Sequence, residues 1–160
     1  MTRGTLETDS VTLHVSATPE HVYDLVADVT RMGEWSPECV RCEWLGGATS
    51  AHVGARFTAH NRRGRLRWSN TPTVVVAEPG REFAFSRTAF GAGEYTWRYR
   101  LTPAADGGTD ITESYEAVRP ESRIVSTVVN RLFTPGTEAD HLRNSMTATL
   151  GRIKQVAEQG

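Results

Sequence analysis

From Val40 to Val118 the chain alternates apolar and polar residues with period two, and turn signals interrupt the pattern at short intervals. Val40, Cys42 and Trp44 alternate up to Gly46-Gly47, and Ala55, Phe57, Ala59 and Asn61 alternate up to Arg62-Arg63-Gly64-Arg65. Leu66 and Trp68 open a strand that resumes after Pro72 through Val74 and Val76. Glu78-Pro79-Gly80 then reverses the chain into Phe83 and Phe85. Tyr95, Trp97, Tyr99 and Leu101 follow Gly91-Ala92-Gly93, and Ile111, Glu113, Tyr115 and Ala117 follow Gly107-Gly108. Parallel crossovers take a dozen residues or more, so connections this short imply an antiparallel meander of six strands.

Helical patterns flank the meander. Val11, Leu13, Val15 and Ala17 first mark a half-buried strand. Thr18-Pro19-Glu20 then sets a capping hydroxyl before a proline at the first helical position. Val22, Leu25, Val26 and Val29 make one apolar helix face, and Gly33 and Pro37 allow only a short helical turn after it. Near the end, Ile124, Val125, Val128, Val129 and Leu132 share helical spacing up to Thr134-Pro135-Gly136. Thr137-Glu138-Ala139-Asp140 starts a long helix whose stripe is Leu142, Met146, Leu150, Ile153 and Ala157. The order is strand, helix, short helix, six strands, long helix, which is an α+β chain without repeats or linkers.

Composition bounds the rest. At 160 residues, one domain spanning 1–160 is expected, large enough to bury a core without disulfide or metal staples. The 18 basic and 19 acidic residues nearly cancel, which argues against wholesale nucleic-acid binding. The start lacks the apolar core of a secretory signal, and no apolar run approaches membrane-spanning length. Two cysteines are too few for a disulfide framework, so a soluble cytoplasmic protein is expected.

The element order, with Thr-Pro-Glu-x-Val-Tyr-Asp-Leu-Val-Ala-Asp at 18–28 and Glu-Trp-Ser-Pro at 34–37, resembles the START/Bet v 1-like (SRPBCC) superfamily. Within it, the chain is most similar to the bacterial polyketide cyclase/dehydrase and lipid transport group. Val53-Gly54-Ala55-Arg56-Phe57, Glu78-Pro79-Gly80-Arg81-Glu82-Phe83 and Gly108-Thr109-Asp110-Ile111-Thr112-Glu113 carry the likeness, as does the ending from Leu142 to Lys154. The resemblance implies a helix-grip fold, in which a curved seven-stranded antiparallel sheet wraps the C-terminal helix and leaves a cavity. The cavity mouth is then expected near Arg62–Arg65, Thr88–Gly93 and Phe133–Gly136. Such folds host many activities, so function has to be argued from the site.

The aromatic residues say most about that site. Strand parity gathers Trp44, Phe57, Trp68, Phe83, Phe85, Tyr95, Trp97, Tyr99 and Tyr115 on one concave face, with Trp35 and Met146 as further wall residues. The alternative is an ordinary packed aromatic core. Parity also directs Asn61, Arg87 and Glu113 inward. A carboxylate desolvated among aromatics has a raised pKa, suited to acid/base catalysis or to anchoring a ligand, unless Glu113 pairs internally with Arg87. Cys39-Val40-Arg41-Cys42 has the CxxC spacing, but positions three apart on a strand face opposite ways, so Cys42 reads as a core residue. The histidines show no metal-ligand spacing, and no cofactor or metal is expected. The four arginines of Arg62–Arg67 read as a solvated hairpin, as electrostatics at the cavity mouth, or as phosphate contacts.

The expected function is binding of a hydrophobic small molecule (aromatic, polyketide-like or lipid-like) between sheet and helix. Trp35, Phe57, Trp97, Tyr99 and Tyr115 would form the walls, and Glu113, Asn61 and Arg87 the polar contacts. One alternative is a polyketide aromatase/cyclase or dehydratase using Glu113 as acid/base with Tyr99 or Tyr115. Another, suggested by the resemblance, is a protein-interaction module without a ligand.

Overall fold

A computed structural model describes residues 8–88, 94–119 and 138–159. The first strand, β1 (Thr8–Val15), leads into α1 (Pro19–Ala27). The Thr18 side chain accepts a hydrogen bond from the His21 amide at 3.3 Å, satisfying one of the helix's free amides, and Pro19 fills the first turn. A 3-10 helix, Val29–Glu34, follows under an Asp28 cap. Then come β2 (Cys39–Trp44), β3 (Phe57–Arg63), β4 (Leu66–Asn70), β5 (Thr73–Glu78), β6 (Glu82–Thr88), β7 (Glu94–Pro103) and β8 (Thr109–Arg119). The long C-terminal helix, α2, spans Glu138–Gln159.

Every strand pairing among the described residues is antiparallel, as the short turns require. The strand count differs from expectation. Among the described residues, the seven-stranded sheet is realised as eight strands in two sheets, β1-β8-β7-β6-β5 and β2-β3-β4. Pro72 is the cause: it has no amide to give a ladder and constrains the residue before it, so the segment from Leu66 to Glu78 breaks into β4 and β5. The sheets remain stitched there by the Arg56–Thr73 bridge and by the Val74 amide donating to the Ala55 carbonyl at 2.8 Å. The second helix expected around Ile124–Leu132 and the mouth segments at 89–93 and 133–136 lie outside the described residues.

One face of the strands and one stripe of α2 share a core. Val15, Phe57, Phe83 and Ile111 from the strands are fully buried with Val22 of α1 and Leu150 and Ile153 of α2. Farther along the helix, Leu142 and Met146 pack with Tyr115. The expected stripe Leu142, Met146, Leu150, Ile153, Ala157 is thus the buried one, and its spacing fixes how α2 lies on the sheet.

Candidate functional site

Register, more than sequence distance, assembles the site. Across the large sheet, Val11, Glu113, Tyr99 and Phe83 stand opposite one another in neighbouring strands, and Tyr115, Trp97 and Phe85 form the next row. Residues directly opposite share a face, so these rows present a carboxyl, a phenol and an indole to α2. From the small sheet, Phe57, Ala59 and Asn61 alternate inward on β3, and Asn70 stands opposite Ala59.

Glu113, Tyr99, Trp97 and Phe85 of the large sheet and Phe57, Ala59, Asn61 and Asn70 of the small one line a cavity of about 70 Å³, partly open to solvent, whose helix-side wall is Leu142, Ser145, Met146 and Thr149. Of the residues expected from sequence, Phe57, Asn61, Phe85, Arg87, Trp97, Tyr99, Glu113 and Met146 line it. Six others do not. Trp35 is 1% exposed and packs in the core under the Arg31 guanidinium, because it follows the 3-10 helix rather than lying on a strand. Phe83 is fully buried one row deeper, against Phe85. Trp44 supports the wall from behind, edge-on to Phe57 at 5.8 Å. Tyr115 backs Trp97 at 5.5 Å, and Tyr95 packs beside that pair. Trp68 is opposite Asn61 in register but beyond the cavity's edge.

Polar groups at the cavity wall set its chemistry. Glu113 is 4% exposed, and Tyr99 donates a hydrogen bond to its Oε1 at 3.1 Å. Burial pushes the Glu113 carboxyl up to about 8, with the Tyr99 hydrogen bond pulling only partly the other way. The carboxyl is therefore protonated at neutral pH. Burial and the adjoining carboxyl also raise Tyr99 well above the ordinary phenol value, so it stays a donor. Glu113 Oε2, Trp97 Nε1 and Asn70 Oδ1 are buried with no hydrogen-bond partner among the described residues. Three such atoms at one small cavity are unusual, since leaving a buried polar atom unpaired costs about 1–3 kcal/mol. The Arg87 guanidinium stacks over Trp97, 5.3 Å from the ring centroid.

Two wall features escaped the sequence reading. Asn70 lies two residues beyond Trp68, so strand parity already placed it on the inner face. Glu38 joins β2, the β3–β4 hairpin and α2 at the cavity rim. Its carboxylate pairs with Arg63 and accepts from His141 Nε2 at 3.1 Å, while its carbonyl accepts from the Arg62 amide at 2.9 Å. No periodicity signals such a tertiary pairing. The basic hairpin is thus anchored through Arg63, while Arg62, Arg65 and Arg67 face solvent.

An antiparallel sheet gripping a C-terminal helix, with a cavity lined from both, defines an α+β protein of the helix-grip class. Residues 8–158 match the family described as polyketide cyclase / dehydrase and lipid transport, and the chain belongs to it. Ara h 8.0201 superposes with a TM-score of 0.70 at 10% identity, covering 97% of this chain and 99% of that one. A START superfamily protein from Mycobacterium smegmatis gives 0.67 at 15% identity, covering 95% and 97%. The polyketide-cyclase-like protein Cgl2372 from Corynebacterium glutamicum is 30% identical over 98% of this chain and 88% of its own, with a TM-score of 0.50. No curated protein matches the sequence significantly. Among the described residues no helix is long and apolar enough to cross a membrane.

Proposed function

We propose that this protein binds a hydrophobic small molecule whose polar end enters the cavity between the sheet and α2. The observation that carries the reading is the set of unpaired buried atoms on one apolar wall. Neutral Glu113 and Trp97 Nε1 offer donors, and Asn70 Oδ1 offers an acceptor. Phe57, Phe85 and Met146 supply the apolar contact. At about 70 Å³ the cavity holds a head group of a few non-hydrogen atoms, so the rest of a lipid-like or aromatic ligand extends toward the opening. Membership in a family described by lipid transport and polyketide chemistry supports the same class of guest.

Burying an ionised head group in this small apolar cavity costs far more than burying a carbonyl or hydroxyl, so the wall favours uncharged ends even though the Arg87 guanidinium, stacked on Trp97, lines it too. Native mass spectrometry with a panel of medium-chain alcohols, fatty acids and phenolic polyketides tests this. Uncharged carbonyl and hydroxyl compounds should bind one per chain and better than the acids. Equal or absent binding across the panel would overturn the reading.

A second reading is favoured by one observation, the Tyr99–Glu113 pair. A carboxyl titrating near 8 and bonded to a phenol is poised to exchange a proton with a carbonyl compound undergoing enolisation. The reading is a cyclase or dehydratase with Glu113 as acid/base. Glu113→Gln separates the two: a carrier keeps binding within several-fold, whereas an enzyme loses turnover while still binding substrate.

A further inference from the structure

Cys39 and Cys42 start β2, and strand alternation alone would turn their side chains to opposite faces. The structure does otherwise. The β2–β3 register shifts between Cys39 and Arg41, so Val40 is an extra, bulged residue, 61% exposed. The bulge resets the parity and brings both sulfurs inward, Sγ to Sγ at 3.1 Å. Both cysteines are free and buried, 5% and 3% exposed, and Met32 Sδ is 3.9 Å from Cys42 Sγ. Cys39 also lines the cavity. The position is held from the other side by Gly33, where a Cβ would stand only 2.3 Å from the Val40 carbonyl oxygen.

We propose that Cys39 and Cys42 are a modification site, a dithiol that a small peroxide entering the cavity oxidises to an intramolecular disulfide. At the observed separation the sulfurs need move only about 1 Å to bond. The two thiols are unequal. The hydrogen bond from Cys42 and the charge of Arg87 hold the Cys39 thiol below its ordinary value, while the same bond and burial push Cys42 up. Cys39 lines the cavity that the peroxide enters and Cys42 does not, so Cys39 is the attacking sulfur and Cys42 the resolving thiol. The Cys39 sulfur attacks the peroxide O–O bond, giving a sulfenic acid and releasing the other oxygen as water or an alcohol. The Cys42 sulfur then attacks the Cys39 sulfur, and the sulfenic oxygen leaves as water with the Cys42 proton. Two thiols are oxidised by two electrons in all, and one peroxide is reduced. The cavity's size assigns the oxidant class, since a glutathione-sized disulfide does not fit where hydrogen peroxide does.

The test is mass spectrometry of the reduced protein after hydrogen peroxide treatment. The expected result is a mass lower by two hydrogen atoms, a Cys39–Cys42 link in the peptide map, loss of both titratable thiols and full recovery with dithiothreitol. In Cys42→Ser the reaction should stop at a Cys39 sulfenic acid that dimedone captures. If that variant fails to fold, the mass change and peptide map of the unaltered protein decide alone. Survival of both thiols in the folded protein, links only between chains, or oxygen addition without a disulfide would overturn the proposal.

Discussion

Replacing Glu113 by Gln isolates the energetic consequence of burying this carboxyl. In the folded protein burial raises it from 4.5 to about 8. A group whose folded value lies above its unfolded value binds its proton more tightly when folded, so its contribution is fully present below pH 4.5 and is lost as pH rises toward 8. Over that interval stability should fall by about 1.4 kcal/mol per pH unit, reaching about 3 kcal/mol at pH 7 and about 5 kcal/mol above pH 8. Glutamine cannot ionise, yet its carbonyl can still accept the Tyr99 hydrogen bond. Urea unfolding of both proteins at pH 5, 7 and 9 should therefore show the Gln variant gaining steadily on the unaltered protein. The difference isolates this one group, because every other titration is common to both. Parallel pH profiles would show that Glu113 ionises freely in the folded state, and would refute both the neutral-donor argument and the acid/base reading.

Other substitutions probe the frame around the site. Gly33→Ala should destabilise by about 2 kcal/mol or more by denaturant unfolding, because the new methyl meets the Val40 carbonyl backbone, which cannot yield as a flexible side chain does. Leu150→Ala, at a fully buried position of α2, should cost about 3 kcal/mol in the same assay. Glu38→Ala removes the carboxylate shared by Arg63 and His141; with Glu38 18% exposed, a loss of about 1 kcal/mol is expected, and the effect should shrink at high salt.

Period-two alternation on β3, β6 and β8 correctly named the inward residues, from Phe57 and Asn61 to Glu113, because one face of each strand is buried and the pattern has to match it. The α2 stripe was legible for the same reason. Parity failed where the ladder is irregular. The bulge at Val40 put both cysteines on one face, and nothing in the four residues from Cys39 to Cys42 announces a bulge. Pro72 was visible as an interruption, but whether a strand continues past a proline or passes into another sheet depends on what lies beside it, here residues 54–57. Of the nine aromatic residues that strand parity grouped on one face, only Phe57, Phe85, Trp97 and Tyr99 line the cavity. Face alone does not give depth, so Phe83 and Tyr115 support the lining residues rather than join them. Glu38 was beyond reach, since its partners come from 25 and 103 residues away.

The central claim is that a guest's polar end meets the unpaired groups on the cavity wall, and the indole resonances of the 4 tryptophans test it most directly. Trp97 lines the cavity with its N–H unpaired, whereas Trp35, Trp44 and Trp68 lie outside it. With each resonance assigned by a single Trp→Phe substitution, a carbonyl- or hydroxyl-bearing hydrophobic ligand should shift the Trp97 indole proton downfield as it gains an acceptor. The other three should move little. Saturable binding that leaves Trp97 unmoved while shifting Trp35 or Trp68 would place the guest elsewhere and contradict the account.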